Sequence, residues 1–459
     1  MSHHQFLGAE DTIAAVATPP GSGALAIIRL SGKDAIEIGN KLFHGKDLTK
    51  QESHTLHFGT IRDEGKILDE VLISVFRAPR SFTRENSIEI SCHGSNYIVK
   101  QILQLLVRSG ARLARPGEFT QRAFINGKMD LAQAEAVADL IASDSEAAHS
   151  AALNQMRGGF SLEIKKLRER LIHFASMIEL ELDFAEEDVE FADREQLKTL
   201  IHDIKKVIEA LISSFDLGNV VKNGVPTVIA GKPNAGKSTL LNALLNEEKA
   251  MVSDIPGTTR DFIEDEMVIG GINFRFTDTA GLRETVDKLE AMGIERTREK
   301  MKKASLIIYL FDVDQTSGEE LKKDIEDLKA LAIPFIAVGN KVDINNKALA
   351  NFKDFSDLLY ISAKDGIGLD ELREKILEKV NAGDFKTGNT LVTNVRHYES
   401  LINTRQALLK VLHAIDEGVT GDFLALDIRN SLHYLGEITG EITNEDLLDN
   451  IFSKFCIGK

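Results

Sequence analysis

The chain has 459 residues, a length that suggests about two to four domains with ample core. Its 55 Lys and Arg stand against 71 Asp and Glu, a formal charge of −16, which excludes a general affinity for polyanions and leaves any nucleic acid to a local basic patch or a partner protein. Cys92 and Cys456 make no disulfide framework, no run approaches the roughly 18 apolar residues of a membrane span, and the start Met1-Ser2-His3-His4-Gln5 has no secretion signal, so the expected location is cytoplasmic.

Residues 1–125 read as mixed α/β. Strands are expected at Ile13 to Ala17 and Ala24 to Leu30, flanking the turn Thr18-Pro19-Pro20-Gly21-Ser22-Gly23. Thr55 to Arg62 and Val71 to Phe76 bracket a polar turn as a hairpin, Ile88 to Cys92 adds a strand, and Tyr97 to Val107 has helical period. The region holds no phosphate-binding pattern. Its polar residues Arg29, Arg80, Arg84, Glu85, Arg115, Glu118, Arg122 and Lys128 read one by one as solvated surface groups. Residues 126–217 turn helical and alanine-rich, with helices expected at Leu162 to Leu182 and Glu195 to Ile212. The acidic stretch between them, Asp183 to Asp193, reads as a solvated loop.

The nucleotide domain is expected over 218–383. An apolar run, Val228 to Ala230, feeds Gly231-Lys232-Pro233-Asn234-Ala235-Gly236-Lys237-Ser238, and an apolar helix run follows from Leu240 to Leu245. Backbone N–H groups curled around an anion at a helix start hold clustered phosphate charge without side-chain clashes. Lys237 suits the β and γ phosphates, and the Ser238 hydroxyl suits Mg²⁺. Met251 to Asp261, with adjacent Thr258 and Thr259, reads as a switch loop. A strand-like run from Asn273 to Thr277 ends at Asp278-Thr279-Ala280-Gly281, where the carboxylate can hold the metal through water. Many guanine-nucleotide hydrolases then place a water-orienting Gln, but here Leu282 stands in that position. Arg283, Glu284, Asp287 and Glu290 follow, and spacing does not choose among them. A strand from Ile333 to Val338 precedes Asn340-Lys341-Val342-Asp343. The Asp343 carboxylate can accept from guanine N1–H and the 2-amino group, a pair adenine lacks. Ser362-Ala363-Lys364, after Leu358 to Ile361, completes a base pocket. Asn234 can turn its side-chain carbonyl to a monovalent cation beside the phosphates. Beyond a polar linker, residues 384–459 are helical again and end on Phe455-Cys456-Ile457-Gly458-Lys459. The two helical parts read as one domain interrupted by the nucleotide domain.

These features together resemble the MnmE (TrmE) family of tRNA-modification GTPases over essentially the whole length. The resemblance rests on the opening Thr18 to Gly23, on Arg115-Pro116-Gly117-Glu118-Phe119-Thr120 with Asn126-Gly127-Lys128, on Gly257-Thr258-Thr259-Arg260-Asp261, on Asp278 to Arg283, and on the terminal Cys456-Ile457-Gly458-Lys459. It implies an α/β multidomain fold: an N-terminal folate-binding and dimerisation domain, a discontinuous helical domain, and an inserted P-loop GTPase domain of Ras-like α/β type. It further implies a K⁺-assisted, dimerisation-activated GTPase. With an FAD-dependent partner, MnmG (GidA), in a heterotetramer, it would add an aminomethyl or carboxymethylaminomethyl group at C5 of the wobble uridine of certain tRNAs, the carbon coming from 5-formyl-tetrahydrofolate or a related donor.

Carried onto this chain, the GTP-binding set is Asn234, Ala235, Gly236, Lys237, Ser238, Thr239, Ser253, Asp254, Ile255, Pro256, Gly257, Thr258, Thr259, Asp278, Thr279, Ala280, Gly281, Asn340, Lys341, Asp343, Ser362, Ala363 and Lys364. Ser238 and Thr259 match the Mg²⁺ ligands, and Asn234, Ser253, Ile255 and Thr258 the K⁺ ligands; Ser253 departs from a common Thr. Glu290 matches the water-orienting residue, Cys456 a cysteine needed for modification, and Arg29, Glu85, Lys128 and Lys459 the folate contacts. The alternative is a GTPase switch in ribosome assembly or translation, which has no reason to keep a pterin pocket. A folate-binding scaffold with a vestigial GTPase is disfavoured because every nucleotide motif is intact.

Overall fold

The computed structural model describes residues 11–183, 193–249, 265–276, 301–380, 390–419 and 421–458. In chain order its elements begin with β1 (Ile13–Val16), β2 (Leu25–Ser31), α1 (Ala35–Leu42), β3 (Phe43–His44), β4 (Thr55–Asp63), β5 (Lys66–Phe76), β6 (Ser87–His93), α2 (Asn96–Arg108) and β7 (Arg112–Leu113). Helices follow: α3 (Glu118–Ile125), α4 (Leu131–Ala142), α5 (Glu146–Met156), α6 (Gly159–Asp183), α7 (Arg194–Ser213) and α8 (Phe215–Asn223). Next come β8 (Val225–Ala230), α9 (Lys237–Lys249), β9 (Asp265–Ile269), β10 (Ile272–Phe276), β11 (Leu306–Asp312), α10 (Gly318–Lys329), β12 (Phe335–Asn340), β13 (Leu358–Ile361) and α11 (Leu369–Lys379). The chain closes with α12 (Val395–Asp416), α13 (Gly421–Thr439) and α14 (Glu445–Phe452). The chain divides into two compact units: residues 1–141, 155–197 and 407–459, and residues 142–154 and 198–406.

In the first unit a seven-stranded sheet runs β3-β4-β5-β6-β2-β1-β7 among the described residues. All pairs are antiparallel except β1 with β7. The expected hairpin is β4–β5, closed by the turn between Asp63 and Lys66. Side chains alternate across a strand, so Ala26, Ile28 and Leu30 of β2 join a core with Ile36 and Ile38 of α1 and Ile102, Leu105 and Leu106 of α2. Arg29 and Ser31 therefore project from the opposite face. The helical portion packs α6 along α13. Phe160, Ile164, Leu167, Leu171 and Ile178 recur at helical spacing and are buried, as are Leu424, Ile428, Leu435 and Ile438. Arg168 with Glu441 and Arg429 with Glu179 close the rims of this pair.

The second unit holds a six-stranded sheet, β13-β12-β11-β8-β10-β9 among the described residues, parallel apart from the β9–β10 hairpin. Strands covered on both faces read as continuous apolar runs, and Leu306 to Asp312 is buried at every position. Ile229, Leu240, Phe274, Ile308, Val338 and Ile376 build one core layer, and Val228, Tyr309, Phe311, Leu321 and Phe352 the other. Such a sheet gathers its ligand loops at the carboxyl ends of the strands.

Candidate functional site

The phosphate loop begins where β8 ends. Gly231 lies at φ 144°, and a Cβ there would stand 2.0 Å from the Leu310 carbonyl oxygen of β11. Only glycine lets the loop leave the sheet so close to the neighbouring strand. Gly236 lies at φ 99°, and a Cβ on it would come within 2.3 Å of Asn340 Nδ2. α9 starts at Lys237, and its first ladder bond runs from Leu240 N–H to Gly236 O at 2.9 Å. The N–H groups of Lys237, Ser238 and Thr239 precede that ladder at the helix's positive end, which is the chemistry of an anion site. Lys237 Nζ donates to the carbonyls of Gly231 (2.8 Å) and Lys232 (2.7 Å), spanning the loop. Burial lowers the pKa of its ammonium. Asn234 is exposed at φ 63°, and the Ser238 side chain is also exposed.

Asn340, the last residue of β12, ties three expected motifs together. Its Nδ2 donates to the Ala235 carbonyl at 2.8 Å, and its Oδ1 accepts from Ala363 N–H at 3.0 Å. The side chain is buried, so the phosphate loop and the Ser362-Ala363-Lys364 loop are locked to one amide. Ser362 is buried too, and its hydroxyl accepts from Asp365 N–H at 3.2 Å, shaping the turn that bears exposed Lys364. Lys341 takes the left-handed conformation, φ 70°, and its Nζ donates to Asp312 Oδ2 at 2.8 Å. Asp312 had no place in the sequence reading. The signal was the unbroken apolar run of β11 that ends on it, a strand without a motif of its own. Asp343 is exposed at the same sheet end. Ser253 to Thr259, Asp278 to Gly281 and Glu290 lie outside the described residues, as do Leu282, Arg283, Glu284 and Asp287.

A second cluster forms on the far face of β2. The Arg29 guanidinium is held by Glu89, its cross-strand partner on β6, at 2.8 Å, and lies 5.7 Å and 5.8 Å from the rings of Phe82 and Phe119. Two residues on, the Ser31 hydroxyl donates to Glu85 Oε2 at 2.7 Å. Arg122 of α3 reaches Glu85 Oε1 at 3.3 Å, and also pairs with Asp11 and Glu118. Arg112 completes the group by pairing with both Asp11 and Glu118. The expectation that Glu118 and Arg122 are solvated surface groups is overturned: both are buried. They can be, because each ion meets opposite charges at hydrogen-bond distance. Burial alone would raise the Glu118 carboxyl, but hydrogen bonds from Arg112 and the Arg115 N–H hold it below the usual carboxylate range. Buried hydroxyls of Ser81 and Thr120, neighbours in sequence of the two rings, have no hydrogen-bond partner among the described residues.

The chain end comes to this same face. Gly458 is buried at φ 92°, where a Cβ would stand 2.2 Å from the Val16 carbonyl oxygen, and Arg29 Nη1 donates to its carbonyl at 3.4 Å. Gly117 N–H donates to the Cys456 carbonyl at 3.3 Å, leaving the Cys456 side chain exposed. Arg29, Glu85 and the tail are thus gathered in one place. Exposed Lys128 follows α3, and its N–H donates to Ala123 O at 2.8 Å. Lys459 lies outside the described residues.

Two family models match the chain. Residues 12–128 match the family model described as GTP-binding protein TrmE N-terminus, and residues 131–456 that described as MnmE helical domain. The chain is 65% identical over 450 residues to the tRNA modification GTPase MnmE of Cytophaga hutchinsonii, covering 98% of each. It is 51% identical over 464 residues to that of Bacteroides fragilis strain ATCC 25285, covering 98% of this chain and 100% of the other. Among solved structures, the G domain of the T. maritima FeoB iron transporter is 26% identical over 34% of this chain and 98% of that one, with a TM-score of 0.26, a likeness too slight to bear on the assignment.

Proposed function

The chain belongs to the MnmE family of tRNA modification GTPases, and from that premise we propose how its two clusters divide the work. It is a GTP hydrolase acting in tRNA modification. GTP seats its phosphates on the loop from Gly231 to Ser238 and its base between Asn340-Lys341-Val342-Asp343 and Ser362-Ala363-Lys364. The observation that carries this reading is the buried Asn340 amide joining the phosphate and base loops. The loop's path fits a phosphate cradle, since a Cβ at Gly231 or Gly236 would collide with the Leu310 carbonyl or the Asn340 amide and force the backbone N–H groups out of this turn. Exposed oxygens on Ser238 and Asn234 suit Mg²⁺ and K⁺ respectively, with Thr259, Ser253, Ile255 and Thr258 as their further ligands; bound there, the cations supply positive charge against the phosphates. Glu290 orients the attacking water, and nucleotide domains of two copies meet before hydrolysis, because Leu282 cannot do that work.

The second cluster takes 5-formyl-tetrahydrofolate or a related one-carbon donor, held by Arg29, Glu85, Lys128 and Lys459. The donor set suits it: a guanidinium beside two aromatic rings, a partly exposed carboxylate, and buried hydroxyls without partners among the described residues. A homodimer joined by an FAD-dependent flavoprotein (MnmG, GidA) shares the tRNA with it and modifies C5 of the wobble uridine, with Cys456 required. Residues 1–125, 126–217, 218–383 and 384–459 form the folate-binding domain, first helical part, GTPase domain and second helical part. The test is GTP hydrolysis in K⁺ and in Na⁺ at equal ionic strength over a range of protein concentrations. Acceleration by K⁺ of about tenfold or more, rising with protein concentration, is expected. Equal rates in both salts overturn the cation-assisted reading.

A further inference from the structure

The Glu85 carboxylate is fixed from two sides by groups that the sequence did not connect with it. Ser31 Oγ donates to Oε2 at 2.7 Å, while the Ser31 and Thr83 hydroxyls lie 2.5 Å apart and Glu85 N–H donates to Thr83 Oγ1 at 3.3 Å. Arg122 Nη1 stands 3.3 Å from Oε1 and 3.4 Å from Oε2. Arg122 cannot swing away, since the same nitrogen donates to the Asp11 carbonyl at 2.8 Å and Nη2 pairs with Asp11 and Glu118. The guanidinium side chain is 7% exposed and that of Glu85 17%. Among the described residues, Oε1 receives only the 3.3 Å Arg122 contact, whereas Oε2 takes both the 3.4 Å Arg122 contact and the short Ser31 bond. An ionised carboxylate has about four lone-pair sites, so Oε1 keeps acceptor capacity, and the Glu85 side chain is only partly buried.

We propose that Arg122 and Ser31 are positioning residues that hold Glu85 with its free acceptor edge set for the adjacent N–H and amino donors of a pterin ring. This rests on the folate reading of the cluster and deepens it. A carboxylate free to rotate would lose part of its affinity to ordering, and one held in place does not. Arg rather than Lys is needed at 122, because one planar fork must meet the Asp11 carbonyl, two carboxylates and Glu85 together.

The test is calorimetric titration of the full chain with 5-formyl-tetrahydrofolate, comparing wild type, Ser31→Ala, Arg122→Lys, Glu85→Ala and the two double variants with Glu85→Ala. Ser31→Ala and Arg122→Lys should each weaken binding by about tenfold. In the Glu85→Ala background neither should weaken it further, because the group they position is gone. A merely structural role would lower affinity equally in both backgrounds, and that result overturns the inference. Single variants that bind as tightly as wild type also overturn it, and leave the folate reading standing. A wild-type chain that takes up no folate overturns the folate reading and the inference with it. Because Arg122→Lys disturbs a five-ion group, Ser31→Ala, which removes one hydroxyl, keeps the result decisive if that variant does not fold.

Discussion

Two single residues decide more than their motifs convey. Asn340 occupies a position whose value lies in holding the phosphate and base loops at one spacing. Replacing it by Ala leaves the Ala235 carbonyl and the Ala363 N–H unpaired in a buried setting, at a cost of about 1–3 kcal/mol each. Asn340→Ala should weaken GDP binding by roughly tenfold to a hundredfold, read by calorimetry. Glu118 sets a pH dependence. Its carboxyl is depressed in the folded chain, so its contribution is complete above the ordinary value of 4.5 and is lost as pH falls through the lower folded value. Wild-type unfolding free energy should therefore decline below about pH 4.5. Glu118→Gln should lack that part of the decline and be about 3 kcal/mol less stable at neutral pH, checked by denaturant titration across the acid range. The sequence hid this role because an isolated Glu or Arg near a turn is more often solvated than buried. What makes these two buried ions tolerable is a shared group in which Arg112 pairs with Glu118 and Asp11, more than a hundred residues from Arg122, pairs with that arginine.

Among the elements, the strands were the most legible. Alternation in β2 and β6 and the continuous apolar runs of β8 and β12 announce one-sided and two-sided burial. β11 is just as apolar but ends on no recognised motif, and so the partner of Lys341 stayed unassigned. The tail after α14 gave the opposite case. Cys456-Ile457-Gly458 carried a resemblance but no periodicity, and its seat beside β1 depends on Gly458 meeting the Val16 carbonyl at a positive φ. Gly458→Val puts a branched side chain where even a Cβ has no room. Trypsin should then cut after Lys454 about tenfold faster than in wild type, as follows when a docked end is freed. An unchanged cleavage rate would show that the tail is not held by this contact.

At the scale of the whole molecule, the first unit is assembled from three stretches, 1–141, 155–197 and 407–459. α6 buries its apolar stripe against α13, which belongs to the last of them. A chain truncated after Gln406 should keep GDP binding, since residues 198–406 carry every described residue of the proposed nucleotide site, but lose the proposed folate binding and the cooperative unfolding of the first unit. Retained folate binding would mean that the N-terminal sheet does not need the tail. The amino-acid sequence alone determined the nucleotide chemistry, because a phosphate loop and its companion motifs are local: a few adjacent backbone groups and side chains at strand ends do the binding. Hydrophobic period also marked β1, β2, β4, β5, β6, β8, β10, β12 and β13 and the long helices α6 and α7, because it reports burial directly, whereas β9 and β11 were not among the expected strands. Only the tertiary structure decided which distant residues share a charge or a hydrogen bond. Arg122 on Glu85, Asn340 across two loops and Gly458 beneath Arg29 are long-range pairings, and nothing in local spacing encodes them.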